Sequence, residues 1–150
     1  MAGSLDTEAS NGFLSPLRVE FLDGTHWRVL EPFTYHLATP DGDEYVEVPI
    51  DLVTDFASIP RLLWAIWPPT GPYGKAAVVH DRLYVAPVVR TATSARAITR
   101  EEADAVFLEG MEVLRINWCT RRTLWSAVRI GGVPAWRHYR QTEAAATPGP

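Results

Sequence analysis

The order of strand and helix patterns is the feature that most restricts the fold of this chain. Between residues 17 and 50, short runs of alternating apolar and polar residues are separated by turn sequences, a pattern typical of β-hairpins. Beyond residue 60 the apolar residues instead recur at helical spacing. Strands that precede helices predict an α+β fold, in which N-terminal antiparallel β-hairpins are followed by a bundle of about four helices.

Local signals give the boundaries of these elements. Asp23-Gly24 predicts a tight turn, and Thr99 with Glu102 predicts a capping box at the start of the longest helix. The predicted hairpins pair residues 17–21 with 27–30 and 33–37 with 45–48, within one small sheet. The predicted helices span residues 60–67, 75–84, 99–116 and 120–130, with a loop over 85–98.

A chain of 150 residues has the length of one domain. Its ends are rich in small and polar residues, so we expect a flexible segment over 1–15, a single domain over 16–138 and a flexible tail over 139–150. The single cysteine, Cys119, excludes an internal disulfide and a multi-cysteine zinc site. Neither a membrane-spanning run nor an export signal is visible, so we expect synthesis in the cytoplasm.

The net charge of −4 conceals a gradient along the chain. Residues 1–60 hold eleven acidic and two basic side chains, a balance of −9, whereas residues 115–150 hold six arginines against Glu143, a balance of +5. The overall balance argues against nucleic-acid binding driven by bulk charge. The C-terminal arginines lie among tryptophans, a combination that suits docking onto another protein, although the tryptophans are first expected to fill the core. Those in the helical half are Trp64, Trp67, Trp118, Trp125 and Trp136.

Polar side chains cluster at the predicted junction between the sheet and the first helix. Within the run from Thr54 to Arg61, Ser58 is suited to cap that helix and Asp55 to pair with Arg61. Functional groups often converge at such junctions, but the same residues would also serve as a structural brace. Both interpretations stay open.

A second group lies on the helix predicted over residues 75–84. His80 and Tyr84 share one helix face, and Asp81 lies beside it. If the next helix packs there, Asp104 reaches a ring nitrogen of His80, fixes its tautomer and raises its basicity. The alternatives are a buried core histidine, an acid that stabilises a helix start, or a metal site. That site would use His80, Asp81 and Asp104 as ligands, with Asp55 as a further candidate.

Four ordered motifs resemble a family of small phage and prophage proteins of unknown function. They are Thr54-Asp-Phe-Ala-Ser-Ile-Pro-Arg61, His80-Asp81-x-Leu-Tyr84, Ala103-Asp104-x-x-Phe107 and Ala127-Val-Arg129-x-Gly-Gly132 with Trp136. The resemblance covers about residues 47–137 and implies a phage or prophage origin, with the protein in the host cytoplasm when made or associated with the virion. Ser58, Arg61 and Arg129 are the structural or binding residues of these motifs.

The pattern His-Asp-x-x-Tyr with a later aspartate is also similar to phospholipase A2. That resemblance implies that His80 is the general base for a water molecule, Asp81 a calcium ligand, Asp104 the residue that orients His80, and Tyr84 a support of this network. It departs from those enzymes in its glycines, because Gly71 and Gly74 lie too close before His80 to form a separate calcium loop.

Two functions follow as hypotheses. The first is a small hydrolase of cell-envelope esters or amides, with catalytic residues His80, Asp104 and Tyr84 and with calcium or another divalent cation as candidate cofactor. The second is a non-catalytic virion or assembly protein in which the same His, Asp and Arg groups form a structural network and the Trp- and Arg-rich C-terminal region binds other phage structural proteins. The hydrolase predicts that His80 bonds to Asp104 and opens onto a pocket.

Overall fold

The structure, a computed structural model, describes residues 12–13, 15–38, 42–56, 66, 68 and 71–146. It confirms the α+β class, with hairpins in the N-terminal part followed by four described helices. The strands are β1 (Val19–Asp23), β2 (His26–Val29), β3 (Phe33–His36), β4 (Tyr45–Val48), β5 (Val53–Thr54), β6 (Val88–Arg90) and β7 (Ala95–Ala97). The helices are α1 (Gly74–Val85), α2 (Arg100–Val113), α3 (Trp118–Gly131) and α4 (Val133–Ala146).

Both predicted hairpins are present. Strands β1 and β2 pair antiparallel with Val19 opposite Val29, and β3 and β4 pair with Phe33 opposite Val48. The prediction of one sheet over residues 17–50 is wrong, because the hairpins belong to separate sheets of order β1-β2-β5 and β3-β4-β6-β7. The first hairpin pairs with β5 and the second pairs with β6, which both come later in the chain. No local sequence signal predicts pairing over such distances.

The predicted loop over residues 85–98 is in fact a third hairpin. Strands β6 and β7 pair antiparallel with Val88 opposite Ala97, and β6 adds to the edge of β4 through Tyr45 and Arg90. Its strands are only three residues long, which is too short for alternation to reveal them.

Helices α1 and α2 begin within one residue of their predicted starts, whereas α3 begins at Trp118, two residues before the predicted start, and α4 was not predicted. Thr99 and Glu102 form the predicted capping box at the start of α2. Helix α3 ends at the predicted glycines, but Gly132 adopts a right-handed conformation at φ −78° and α4 begins directly after it. Helix α4 therefore continues to Ala146, well into the segment predicted to be a flexible tail. The predicted helix over 60–67 lies almost wholly outside the described residues.

Helix α1 lies at the centre of the core. Eight of its residues are buried, including His80 and Tyr84, because it packs on α2 on one side and on β4 and β5 on the other. The close approach to α2 depends on small residues, since a side chain at Gly110 would meet the Cβ of Ala76 at 3.0 Å. Glu109 of α2 also accepts a hydrogen bond of 2.6 Å from the hydroxyl of Tyr35, which joins α2 to β3.

The tryptophans of the helical half do not all fill the core. Trp125 and Trp136 are partly buried against it, whereas Trp118 is 62% exposed at the start of α3. Trp64 and Trp67 lie outside the described residues. Among the described helices, none combines the length and the apolar character needed to cross a bilayer.

Candidate functional site

The structure brings together the predicted residues of the later motifs. His80, Asp81 and Tyr84 lie on α1, Asp104 lies in the first turns of α2, and Arg129 lies near the end of α3. Asp55 follows β5 at the same corner as Asp81. Ser58 and Arg61 lie outside the described residues.

Asp104 is the centre of this group. Its side chain is fully buried and accepts four hydrogen bonds: from His80 Nε2 and the Tyr84 hydroxyl at 2.8 Å each on Oδ1, and from Arg100 Nη1 at 3.1 Å and Arg129 Nη1 at 2.8 Å on Oδ2. Burial alone would raise the pKa of Asp104, but the bonds from His80, Arg129 and Tyr84 outweigh it and lower that pKa. Asp104 is therefore a carboxylate held in one orientation by three helices.

His80 is oriented by this carboxylate. Because a carboxylate can only accept, Nε2 carries the proton in that bond, and the neutral ring then has its lone pair on Nδ1. Nδ1 is buried without a hydrogen-bond partner among the described residues, and the nearest Asp81 oxygen lies 3.9 Å away, too far for a direct bond. A buried polar atom without a partner calls for an explanation such as a bound water molecule or a catalytic role.

Neighbouring groups also set the basicity of His80. Burial, the largest influence, would lower the pKa of His80, but the bond to Asp104 and the proximity of Asp81 together raise that pKa above its usual value. The ring lies between those of Tyr84 and Phe107, with centroids 4.2 Å and 5.0 Å away, so its position is fixed by packing as well. The imidazole is therefore a better base than a free histidine.

Thr54 fixes Asp81 and was not predicted as a site residue. Its hydroxyl donates to Asp81 Oδ2, and its oxygen accepts a hydrogen bond of 3.0 Å from the backbone of Phe56. Phe56 has a φ of +57°, a left-handed conformation that is rare for a large side chain. The end of β5 is thus tied to α1 through a strained turn, and the motif that begins at Thr54 was the available sequence signal.

Arg100 is a second residue that sequence reasoning missed. It lies four residues before Asp104 on α2, bonds its carboxylate and also donates to the backbone oxygen of Arg129 at 3.1 Å. The i,i+4 spacing was the signal that could have identified it. Arg129, predicted as a structural or binding residue, bonds both Asp104 and Glu101, so it joins α3 to α2.

The absence of a side chain at Gly132 leaves room for the Tyr84 hydroxyl. A Cβ on Gly132 would lie 2.3 Å from that oxygen and 2.5 Å from the Val128 carbonyl oxygen, so only glycine fits between them. Trp136 packs edge-on against the Tyr84 ring with centroids 5.2 Å apart. The second glycine of the last motif therefore serves the polar group at Asp104, whereas the sequence suggested only a helix stop.

The predicted metal ligands lie close together without forming a complete site. Asp55 and Asp81 both lie near Tyr139 of α4: burial raises the pKa of Tyr139, and both carboxylates raise it further. Among the residues that the structure describes, no group of three or more His, Cys, Asp or Glu side chains could hold a metal ion. Asp55 and Asp81 could hold a divalent cation only together with further oxygen ligands such as backbone carbonyls or water.

Three clefts lined by described residues lie away from His80. One, of about 510 Å³, separates the starts of α2 and α4 and is lined by Arg100, Trp136 and Arg137 among others. The other two lie beside Tyr73 and beside Val89, and none of the three includes His80, Asp81 or Asp104. His80 is 2% exposed and lines none of these three clefts, so the prediction that it opens onto a pocket is not met among them, although its predicted bond to Asp104 is present.

The charged pair formed by His80 and Asp104 should stabilise the fold most strongly within a limited range of pH. His80 has a raised pKa, so its contribution to the free energy of unfolding is complete below its usual pKa of 6.5 and is lost as the pH rises through the higher value in the folded state. Asp104 has a lowered pKa, so its contribution is complete above its usual pKa of 3.8 and is lost as the pH falls through the lower folded value. The two contributions overlap between those usual values.

Urea denaturation of the wild type and of His80→Gln at several pH values tests this expectation. The stability lost in His80→Gln should be largest between about pH 4 and 6.5 and should decrease at higher pH, where the wild-type histidine is neutral. An equal loss at every pH would contradict a charged pair. His26→Gln, on an exposed histidine of β2, is the matched control and should alter stability by less than about 0.5 kcal/mol.

Comparison with known proteins identifies a family but no characterised relative. The model of a family described as a protein of unknown function, DUF1353, matches residues 27–128, which is 102 of the 150 residues. No curated protein and no solved structure matches the chain. The matched segment contains α1, α2 and most of α3, and with them Asp104 and three of the four residues that bond it, whereas Arg129 lies one position beyond the segment.

Proposed function

The chain belongs to the DUF1353 family of proteins of unknown function, and from the geometry of its buried site we propose that it is a small hydrolase. His80 is its general base, Asp104 orients that base, and Tyr84 steadies Asp104. One observation carries this proposal: Asp104 holds His80 through Nε2 while Nδ1, the atom with the lone pair, has no partner among the described residues. Most buried polar side-chain atoms have a hydrogen-bond partner, so an unpartnered Nδ1 favours a site for a bound water molecule there.

The reaction follows from the proton positions. A water molecule bound at His80 Nδ1 attacks the carbonyl carbon of an ester or amide while Nδ1 takes one of its protons. The imidazolium that forms is stabilised by Asp104 through the 2.8 Å bond to Nε2. The same proton then passes from Nδ1 to the leaving oxygen or nitrogen as the carbonyl–leaving-group bond breaks. The products are a carboxylic acid and an alcohol or amine, and the base is neutral again.

Asp81 and Asp55 are the proposed cation ligands of this site. Asp81 lies between His80 Nδ1 and the end of β5, where a calcium or other divalent ion would polarise the substrate carbonyl. Carboxylate oxygens are the ligands that such hard cations prefer. Ser58 and Arg61 follow Asp55 in the same motif and are proposed to bind or brace at this corner.

We further propose a substrate class and a cellular location for this hydrolase. The resemblance of the four motifs to phage and prophage proteins supports an ester or amide of the bacterial cell envelope as substrate. The protein would then be made in the host cytoplasm and act there or from the virion. The described helices offer no membrane span, so such a hydrolase would meet lipid substrates at a surface.

The test is hydrolysis by purified protein with His80→Gln as the decisive variant. Probes are p-nitrophenyl esters, phospholipid vesicles and peptidoglycan, each assayed with and without added calcium. Loss of a general base should lower kcat by about 10²–10⁴-fold, and wild-type activity should rise with pH through the pKa of His80. His26→Gln should retain full activity.

Two results would overturn the hydrolase. One is wild-type protein that releases no product from any of the three probes. The other is activity that His80→Gln leaves unchanged although the variant remains folded by circular dichroism. Either result would leave the Asp104 group as a structural element.

A second function is favoured by a different observation. Asp104 already accepts four hydrogen bonds from three helices and His80 is 2% exposed, which is the arrangement expected of a polar network that fixes a fold. In that case the protein is a non-catalytic virion or assembly component that binds other phage structural proteins through its Trp- and Arg-rich C-terminal region. Mass spectrometry of purified particles should then find it in stoichiometric copies, and its absence from them would contradict a virion role.

A further inference from the structure

Helix α4 lies on α1 and is only lightly packed. Of the four described helices, α4 alone has no buried residue. It directly follows Gly131 and Gly132, and a Cβ at Gly131 would meet no atom within 4 Å, so no neighbouring atom restricts a change of backbone angle there. Elements with few buried apolar contacts open locally at a low cost in free energy.

Two side chains of α4 hold it on the C-terminal end of α1. Trp136 packs edge-on against the Tyr84 ring, with the ring centroids 5.2 Å apart. Arg140 Nη2 donates to the backbone oxygens of Tyr84 and Val85 at 2.8 Å and 2.9 Å. These oxygens belong to the last turn of α1, where carbonyl groups have no partner within the helix. Contacts at a helix surface therefore keep α4 in place.

The face of α1 that α4 covers carries Asp81, the carboxylate near His80 Nδ1. Asp81, Tyr84 and Val85 share that face by helical spacing, and Tyr139 of α4 lies near the Asp81 carboxylate. In this arrangement the side chain of Asp81 is 13% exposed and that of His80 is 2% exposed. Because His80 lines none of the three clefts described above, a substrate reaches Nδ1 only if a covering element moves.

We propose that α4 is a lid over the site formed by His80 and Asp81, closed in this structure, and that it opens by rotation at Gly131 and Gly132. The role as a lid rests on the proposed function, because opening supplies the access to His80 that a hydrolase needs. Lids are drawn from the least stable elements of a fold, and their hinges lie at the ends of such elements.

The opening of α4 leaves the catalytic group intact. All four hydrogen bonds that Asp104 accepts come from α1, α2 and α3. Opening breaks the two hydrogen bonds of Arg140 and separates Trp136 from Tyr84, and it removes none of the bonds to Asp104. His80 therefore stays oriented by Asp104 while its surroundings become accessible.

Modification of the full chain by diethyl pyrocarbonate tests the lid without any need for enzyme activity. The reagent acylates accessible neutral imidazole rings, and peptide mass spectrometry gives the rate at each histidine. His80 should react slowly in the wild type, at a rate set by the fraction of molecules in which α4 is open. Arg140→Ala removes both hydrogen bonds to the end of α1 and should accelerate the modification of His80 about tenfold.

Arg137→Ala is the matched control on the same helix. Arg137 is exposed and lies one turn before Arg140, so its replacement should leave the rate at His80 at the wild-type value. His36, half-buried on β3, reports on the rest of the fold and should react at one rate in all three proteins. Equal rates at His80 in the wild type and Arg140→Ala would overturn the lid. So would equal acceleration in Arg137→Ala, or acceleration at His36 as well.

Hydrolysis of the three probes by the same proteins separates failure of the lid from failure of the hydrolase. Wild-type activity combined with an unchanged rate at His80 in Arg140→Ala would remove the lid and keep the hydrolase. Faster modification of His80 in Arg140→Ala without hydrolysis by any protein would keep the opening of α4 and remove the hydrolase. Faster modification together with higher activity in Arg140→Ala would support both.

Discussion

Replacement of Asp104 by asparagine should lower the free energy of unfolding by about 3–5 kcal/mol, the cost expected when one partner of a buried charged group is removed. The carboxylate accepts from His80, Tyr84, Arg100 and Arg129, and an amide offers one acceptor oxygen and an NH₂ group that cannot accept. Arg100 and Arg129 would face each other without the negative charge that holds both.

Urea denaturation measures this loss, with Asp43→Asn as the matched control. Asp43 is exposed on the segment before β4, and the same chemical change there should alter stability by less than about 0.5 kcal/mol. A loss of less than about 1 kcal/mol in Asp104→Asn would show that the four bonds contribute little net stability and that Asp104 is not the centre of a stabilising group.

Asp104→Asn also separates the two candidate functions. If the hydrolase is correct, the folded fraction of this variant should lose activity beyond its loss of stability, because the imidazolium of His80 is no longer stabilised. If the network is only structural, the variant should be less stable, and neither the variant nor the wild type should hydrolyse any of the probes.

Replacement of Gly132 by alanine should cost about 3 kcal/mol, the upper end of the usual cost of overpacking. The added methyl group would lie 2.3 Å from the Tyr84 hydroxyl and 2.5 Å from the Val128 carbonyl oxygen. The carbonyl belongs to the backbone of α3 and cannot rotate away, so the Tyr84 ring or the whole of α4 must shift. The hydrogen bond from Tyr84 to Asp104 would then lengthen or break.

The adjacent glycine provides a control for Gly132→Ala. A Cβ at Gly131 meets no atom within 4 Å, so Gly131→Ala removes backbone freedom without a clash and should stabilise the helix end by up to about 1 kcal/mol. Thermal or urea denaturation of the two variants should therefore give shifts of opposite sign. Equal effects would mean that the space beside Tyr84 is not tightly filled.

The candidate site was partly predictable because its residues obey helical spacing. His80 and Tyr84 share a face of α1 by the i,i+4 rule, and a carboxylate on the next helix was the natural partner for the histidine. Arg100 obeys the same rule relative to Asp104. Thr54 and Gly132 follow no such rule, since each contacts a residue that is remote in sequence.

The fold, like the site, was predictable only where contacts join neighbouring segments of the chain. Hairpins β1–β2 and β3–β4 join neighbouring strands, so turn residues and alternation identified both. The separation into two sheets depends on β5 and β6, which are two and three residues long and pair with strands at a distance along the chain. Strands so short have no pattern of their own and are stabilised by their neighbours.

The sequence by itself determined the order of strands and helices, the capping box at Thr99, and the shared helix face of His80 and Tyr84. These features depend on residues within a few positions of one another, where backbone geometry fixes which side chains meet. Only the tertiary structure decided that Asp104 is saturated by two arginines as well, that Gly132 makes room for Tyr84, and that α4 packs against α1. Those contacts join distant segments and depend on the packing of the whole core, which no local pattern encodes.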